Sequence, residues 1–82
     1  MDDKELLKRI NINPEVMVGK PVIKGTRITV EYILNILSHG DTIDDILSEY
    51  DGLEKEDILA CILYASQMLD KSNVYPLEVK AI

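Results

Sequence analysis

From Val30 onward the apolar positions recur with helical spacing. Val30, Ile33, Leu34 and Leu37 fall at i, i+3, i+4 and i+7 on one face, and Tyr32 and Ile36 widen the apolar arc. Thr29 can cap the free N–H groups of a first turn and Gly40 is a natural stop, so a helix is predicted over 30–39. Thr42 followed three residues later by Asp45 reads as a capping pair. Ile43, Ile46, Leu47 and Tyr50 then repeat the same face, predicting a short second helix that ends near Asp51-Gly52. Glu54, Glu56 and Asp57 suit the first turn of a third helix running through Leu69. One of its faces is Leu59, Ile62, Leu63 and Ser66, and a neighbouring one is Ile58, Cys61, Ala65 and Met68. Two short helices cannot cover so broad an arc. The third helix is therefore expected in the core, with Ile58, Cys61, Ala65 and Met68 also meeting a second copy or another partner.

Before residue 30 the helical period is lost. Asp2 to Arg9 form a short helix or frayed turn with Leu6 and Leu7 as docking residues, and Ile10-Asn11-Ile12-Asn13 alternates like a strand. Asn13-Pro14 starts a turn, because the residue before proline is pushed out of the α region. Val16-Met17-Val18 and Val22-Ile23 flank Gly19-Lys20-Pro21, and Lys24-Gly25 precede Thr26-Arg27-Ile28, which predicts a small β-hairpin element. Gly19, Pro21 and Gly25 are its geometry-setting residues: glycine admits positive φ, and proline fixes φ and lacks an N–H. Strands this short must lie on the helices or pair across a dimer. Beyond the third helix, Leu77, Val79 and Ala81 alternate with Glu78 and Lys80, so Tyr75, Leu77 and Val79 are expected to add to an edge of a partner. The organisation expected is an N-terminal arm over 1–9, one domain over 10–70 and a C-terminal tail over 71–82.

Charge changes the picture more than composition does. The 82 residues are 46% hydrophobic and 29% charged, which suits one small globular domain that gains from burying surface against a second subunit. The net charge of −6 argues against a protein that simply coats nucleic acid, since such binding uses basic residues to displace counterions. The charge is segregated, however. Lys4, Lys8, Arg9, Lys20, Lys24 and Arg27 precede the first main helix, against Asp2, Asp3, Glu5 and Glu15, and only Lys55, Lys71 and Lys80 follow it. Contact with a polyanion is expected through the N-terminal third, leaving the acidic remainder to solvent or a basic protein. No apolar run approaches a membrane-spanning length and the first residues are acidic, so no membrane partner and a cytoplasmic location are expected.

Few residues point to chemistry. Lys20, Lys24 and Arg27 are spaced so that a looped strand could present them together to nucleic acid, and an arginine can fork onto phosphate or a guanine edge. The competing role for Arg27 is to buttress the turn. Gly19-Lys20 and Gly25-Thr26 lack the full spacing of a phosphate loop. His39 is the sole histidine and sits in a last helical turn, where a structural role outweighs catalysis. Asp41, Asp45 and Glu49 are neighbours on a helix surface without a pocket signature. Cys61 lies within an apolar pattern and reads as a buried small side chain. Neither enzymatic activity, a metal, a cofactor nor a small-molecule substrate is expected. Three helices with short links have helix-turn-helix dimensions, but Glu54, Glu56 and Asp57 would set negative charge near phosphates at the start of the last one.

The run Gly19-Lys20-Pro21-Val22-Ile23-Lys24-Gly25-Thr26-Arg27, followed by Ile33-Leu34, Leu37, Gly40, Ile46-Leu47, Tyr50, Leu53, Asp57-Ile58 and Leu63-Tyr64-Ala65, resembles the domain-of-unknown-function family 433 over roughly residues 8 to 69. The Gly-Lys-Pro-x-Ile-x-Gly-Thr-Arg core carries that resemblance. It implies a mainly α, homeodomain-like three-helix domain preceded by a small β element, commonly dimeric. It also implies an antitoxin-like protein beside a toxin of the PIN-like ribonuclease type; on that reading the charge split would let the basic N-terminal element contact operator DNA and the acidic helices or C-terminal tail meet the toxin. The family supplies no catalytic role for Gly19, Lys20, Pro21, Ile23, Gly25, Thr26 or Arg27. Many members carry Gly-Gly before the lysine and cysteines near the motif; here Val18-Gly19, Met17 and Val22 stand instead, which removes any thiol or metal role. The alternative to an antitoxin is a dimeric adaptor that does not bind DNA.

Overall fold

The computed structural model describes residues 1–71. Its element order is α1 (Asp3–Leu7), β1 (Ile10–Asn11), a 3-10 turn (Met17–Gly19), β2 (Val22–Ile23), α2 (Val30–Ser38), α3 (Ile43–Glu49) and α4 (Lys55–Lys71). The architecture is mainly helical, with a two-stranded antiparallel sheet that pairs Ile10 with Ile23 and Asn11 with Val22.

Each helix boundary has a chemical cause. Thr29 accepts from the Tyr32 N–H at 2.9 Å and starts α2. The helix closes when the Gly40 N–H reaches the Leu37 carbonyl and the Asp41 N–H reaches that of Ile36, a reversal that needs the positive φ of +103° at Gly40. Thr42 and Asp45 exchange bonds of 2.9 and 3.0 Å in a complete capping box at the head of α3. At the head of α4, Asp57 reaches back to accept from the Glu54 N–H at 2.8 Å.

The three long helices enclose a core of Ile23, Val30, Ile33, Ile46, Ile58 and Cys61. Ile33, Ile58, Ala60 and Cys61 are fully covered. Ile58 and Cys61 were expected at a partner contact as well as in the core, and the fold corrects that. Both side chains are enclosed by their own chain, because the sheet and α1 also pack on α4 and supply the cover that two helices could not.

Of the two alternatives for the N-terminal arm the short helix forms: Asp2 caps α1, which packs against α4, and residue 9 is tied into that helix. One further expectation changes. Val16-Met17-Val18 does not extend into a hairpin arm. Asn13 Oδ1 accepts from the Glu15 N–H at 2.9 Å and the Val16 N–H bonds the Asn13 carbonyl, which curls the chain after Pro14. Met17, Val18 and Gly19 then run at φ of +50°, +56° and +79°. The partner of β2 is consequently β1, twelve residues earlier, and not the segment next to it.

Candidate interaction surfaces

The motif folds as a brace between sheet and helix. Pro21 gives its carbonyl to the Val30 N–H at 3.0 Å, which joins the motif to the first turn of α2, and Val22 bridges Thr29. The Ile23 N–H donates to Ile28 at 2.9 Å, closing a loop over residues 24–27. Thr26 holds that loop from inside: its hydroxyl donates to the Ile23 carbonyl at 2.7 Å and accepts from the Ile28 N–H at 3.0 Å. Gly25 takes a φ of +81° at the tip, a conformation that a Cβ would strain.

The three cations of the motif do not share one environment. Lys20 Nζ lies 3.0 Å from Glu31 Oε1 in an exposed pair, so its charge is answered locally. Lys24 and Arg27 are exposed and form no ion pair among the described residues. Arg27 also makes no hydrogen bond that would buttress the turn there; Thr26 does that work. Beside Arg27 is a recess of about 410 Å³ lined by Asn11, Val16, Val22, Gly25, Thr26 and Arg27.

A larger groove, about 680 Å³, runs between α2 and the C-terminal half of α4. Pro21, Val30, Leu34, Tyr64, Ala65 and Met68 line it, with the Lys20–Glu31 pair on its rim. Met68 is 48% exposed here, and Ala65 is half-buried. Of the residues expected at a partner contact, these two remain at the surface. Tyr75, Leu77 and Val79 lie outside the described residues. Periodicity missed Leu34 and Tyr64 as groove residues because it assigned them to faces of separate helices without saying how those faces meet.

Other reactive side chains are committed to structure. Arg9 Nη1 donates to Glu54 Oε1 at 2.9 Å and Asp57 Oδ1 at 3.0 Å, and those bonds raise its pKa further. Nothing local in the sequence marks that triad, since its members are 45 and 48 residues apart. Burial pushes the Cys61 thiol up to about 12, with the Asp57 carboxylate adding to the rise, so it is no nucleophile near neutral pH. His39 Nδ1 donates to the Asn35 carbonyl at 2.7 Å at the end of α2. Tyr32 and Tyr50 meet hydroxyl to hydroxyl at 2.6 Å with rings at 88°, and that bond raises Tyr50 to about 12. Among the described residues no three His, Cys, Asp or Glu side chains converge as a metal site, and no helix is long and apolar enough to cross a membrane.

Comparison with known proteins agrees with the motif. The family model described as "Protein of unknown function (DUF433)" matches residues 10–65. A crystal structure of a DUF433 member from Anabaena variabilis is 30% identical, with a TM-score of 0.72 over 84% of this chain and 71% of that one. No curated protein matches.

Proposed function

The chain belongs to the DUF433 family, and from that premise we propose that it is an antitoxin-like regulatory protein that binds and neutralises a PIN-like ribonuclease and, as a dimer, contacts operator DNA. The observation that carries this reading is the apolar groove that the described residues form between α2 and α4, on a chain of net charge −6. Exposed apolar surface with a charged rim is what a protein partner buries. The surplus acid of the chain as a whole favours a partner with a basic face, which a ribonuclease needs for its own substrate. In this reading α2, α3 and α4 act as the homeodomain-like unit, and Lys24 and Arg27 face DNA. Ile62, 42% exposed on α4 and outside the groove, meets the second copy. No reaction is assigned to this chain.

Co-expression with a PIN-like ribonuclease from the same genome tests the reading. A complex stable through size-exclusion chromatography, with RNA cleavage suppressed, is the expected result. Leu34→Glu should weaken it by about tenfold or more, because a charge would have to be desolvated in the contact. Undiminished cleavage in the presence of excess native chain would overturn the reading.

A second reading, a dimeric adaptor without DNA binding, draws on the Lys20–Glu31 pair, which removes one of the three motif cations from service. A gel shift with DNA from upstream of the gene separates the two: a retarded band supports the regulatory protein and its absence the adaptor.

A further inference from the structure

We propose that the recess beside Arg27 is an oxyanion site that seats one phosphate of a nucleic-acid backbone, with Arg27 and Asn11 as its ligating side chains. This rests on the DNA-contacting half of the reading above and is independent of ribonuclease binding.

The first support is the distribution of charge. Residues 10–29 carry Lys20, Lys24 and Arg27 against a single carboxylate, Glu15, while the acid surplus of the chain lies beyond residue 30. In so acidic a protein an arginine readily finds a carboxylate, as Arg9 does twice. Arg27 has none among the described residues, and it borders a cavity.

The second is the division of labour within the recess. Thr26 spends its hydroxyl on the Ile23 carbonyl and the Ile28 N–H, fixing the loop that carries Arg27. Val22, 1% exposed, gives the recess a firm apolar wall. Among the described residues the Asn11 side-chain amide makes no hydrogen bond to another side chain or to backbone, which leaves a neutral donor in the lining of the same recess as the cation. A guanidinium fork plus an amide donor matches the several acceptor oxygens of a phosphate. Lys24, exposed and three residues before Arg27, adds the second cation expected where a backbone of repeated phosphates passes, and a lone carboxylate would make no use of it.

The third is strain next to the site. Val16 lines the recess, and the two residues after it, Met17 and Val18, hold positive φ. L-residues resist that conformation, and it persists where the surroundings require it, often at binding sites.

Fluorescence anisotropy with a short labelled duplex, titrated with salt between about 50 and 200 mM, tests the site. Arg27→Ala should lower the magnitude of the log K against log salt slope by about 1 and weaken binding roughly eightfold near 0.1 M salt, the effect of one counterion no longer released. Arg27→Lys should recover the slope but not the full affinity, because a point charge replaces the fork. Native duplex binding with an unchanged slope in folded Arg27→Ala would overturn the proposal, and so would no duplex binding by the native chain. Inorganic phosphate is the second arm. If it shifts the Asn11 and Arg27 amide resonances while duplex does not bind, the site serves free phosphate and the nucleic-acid assignment falls. Ribonuclease suppression, measured on the same variants, should be unchanged; its loss in Arg27→Ala with DNA binding intact would make the recess a protein contact and overturn the proposal.

Discussion

The core at Ile33, Ile46 and Ile58 and the turn at Met17–Gly19 lie within one small domain but are stabilised in opposite ways. In the core, apolar side chains are covered and the backbone is relaxed helix, so the favourable term is surface removed from water. In the turn, Val18 is 93% exposed and its backbone occupies a disfavoured region, so its side chain gains little from burial. The turn is held from outside, by the Asn13 side chain before it and by the Pro21 carbonyl bonded into α2 after it. A core closed by burial can therefore carry a turn that gains little from burial itself.

The sharpest test of that contrast is to shorten a side chain in the core. Ile58→Ala should cost about 2–5 kcal/mol, since it opens a cavity where no neighbour can collapse freely, and urea unfolding followed by circular dichroism would read it. For a domain of this size that approaches the whole of its stability. A loss below about 1 kcal/mol would mean the α4 seam is looser than its burial indicates.

Next in size is Asp57→Ala. Its carboxylate serves two elements at once, accepting from the Glu54 N–H and from Arg9. Removing it should cost about 1–3 kcal/mol, because the start of α4 loses its cap and Arg9 keeps only the exposed Glu54. A double-mutant cycle with Arg9→Ala separates the two contributions, and no coupling would show that the cap alone matters.

How much of this was legible in the sequence follows the same division. The three helices and their caps at Thr29 and Thr42 are written in local spacing, because a helix satisfies its own backbone and needs only one face covered. The family motif was legible too. What was not legible is whatever depends on distant partners: Arg9 with Asp57, Lys20 with Glu31, and β1 instead of Val16–Val18 as the strand beside β2. Val16-Met17-Val18 has strand-forming side chains, yet the Asn13-Pro14 turn overrides them. At the candidate site, Arg27 and Lys24 could be read from charge, whereas Asn11 and Leu34 needed the tertiary arrangement to bring them to their recess and groove.

Alkaline pH probes the core without a cavity. The Cys61 thiol is raised to about 12 by burial, above its ordinary value near 9.0. Between those values the unfolded chain gives up a proton that the folded chain retains, so the unfolded state gains stability as pH rises. Unfolding free energy should be level up to about pH 8.5 and then fall by about 1 kcal/mol for the next unit and a half. Tyr50, likewise raised, starts to contribute as pH nears 10, so the limb from pH 9 to 10 belongs chiefly to Cys61. Cys61→Ala should flatten that limb, and a limb that survives would assign it to other groups.

The smallest effect carries the opposite sign. Val18→Gly removes a side chain that packs on nothing and relieves a β-branched residue held at φ +56°, ψ +37°. Glycine occupies that region freely, and the relief of about 1 kcal/mol is partly offset by the greater freedom glycine gives the unfolded chain. A net gain of a few tenths of a kcal/mol is expected, read as a rise in the urea midpoint at unchanged slope. In the core the same kind of truncation costs several kcal/mol. If Val18→Gly destabilised the protein by a comparable amount, the turn would be held by its side chain after all, and the contrast between the two regions would fail. If the variant is more stable yet binds its partner less well, Val18 is retained for contact, at a small expense in stability.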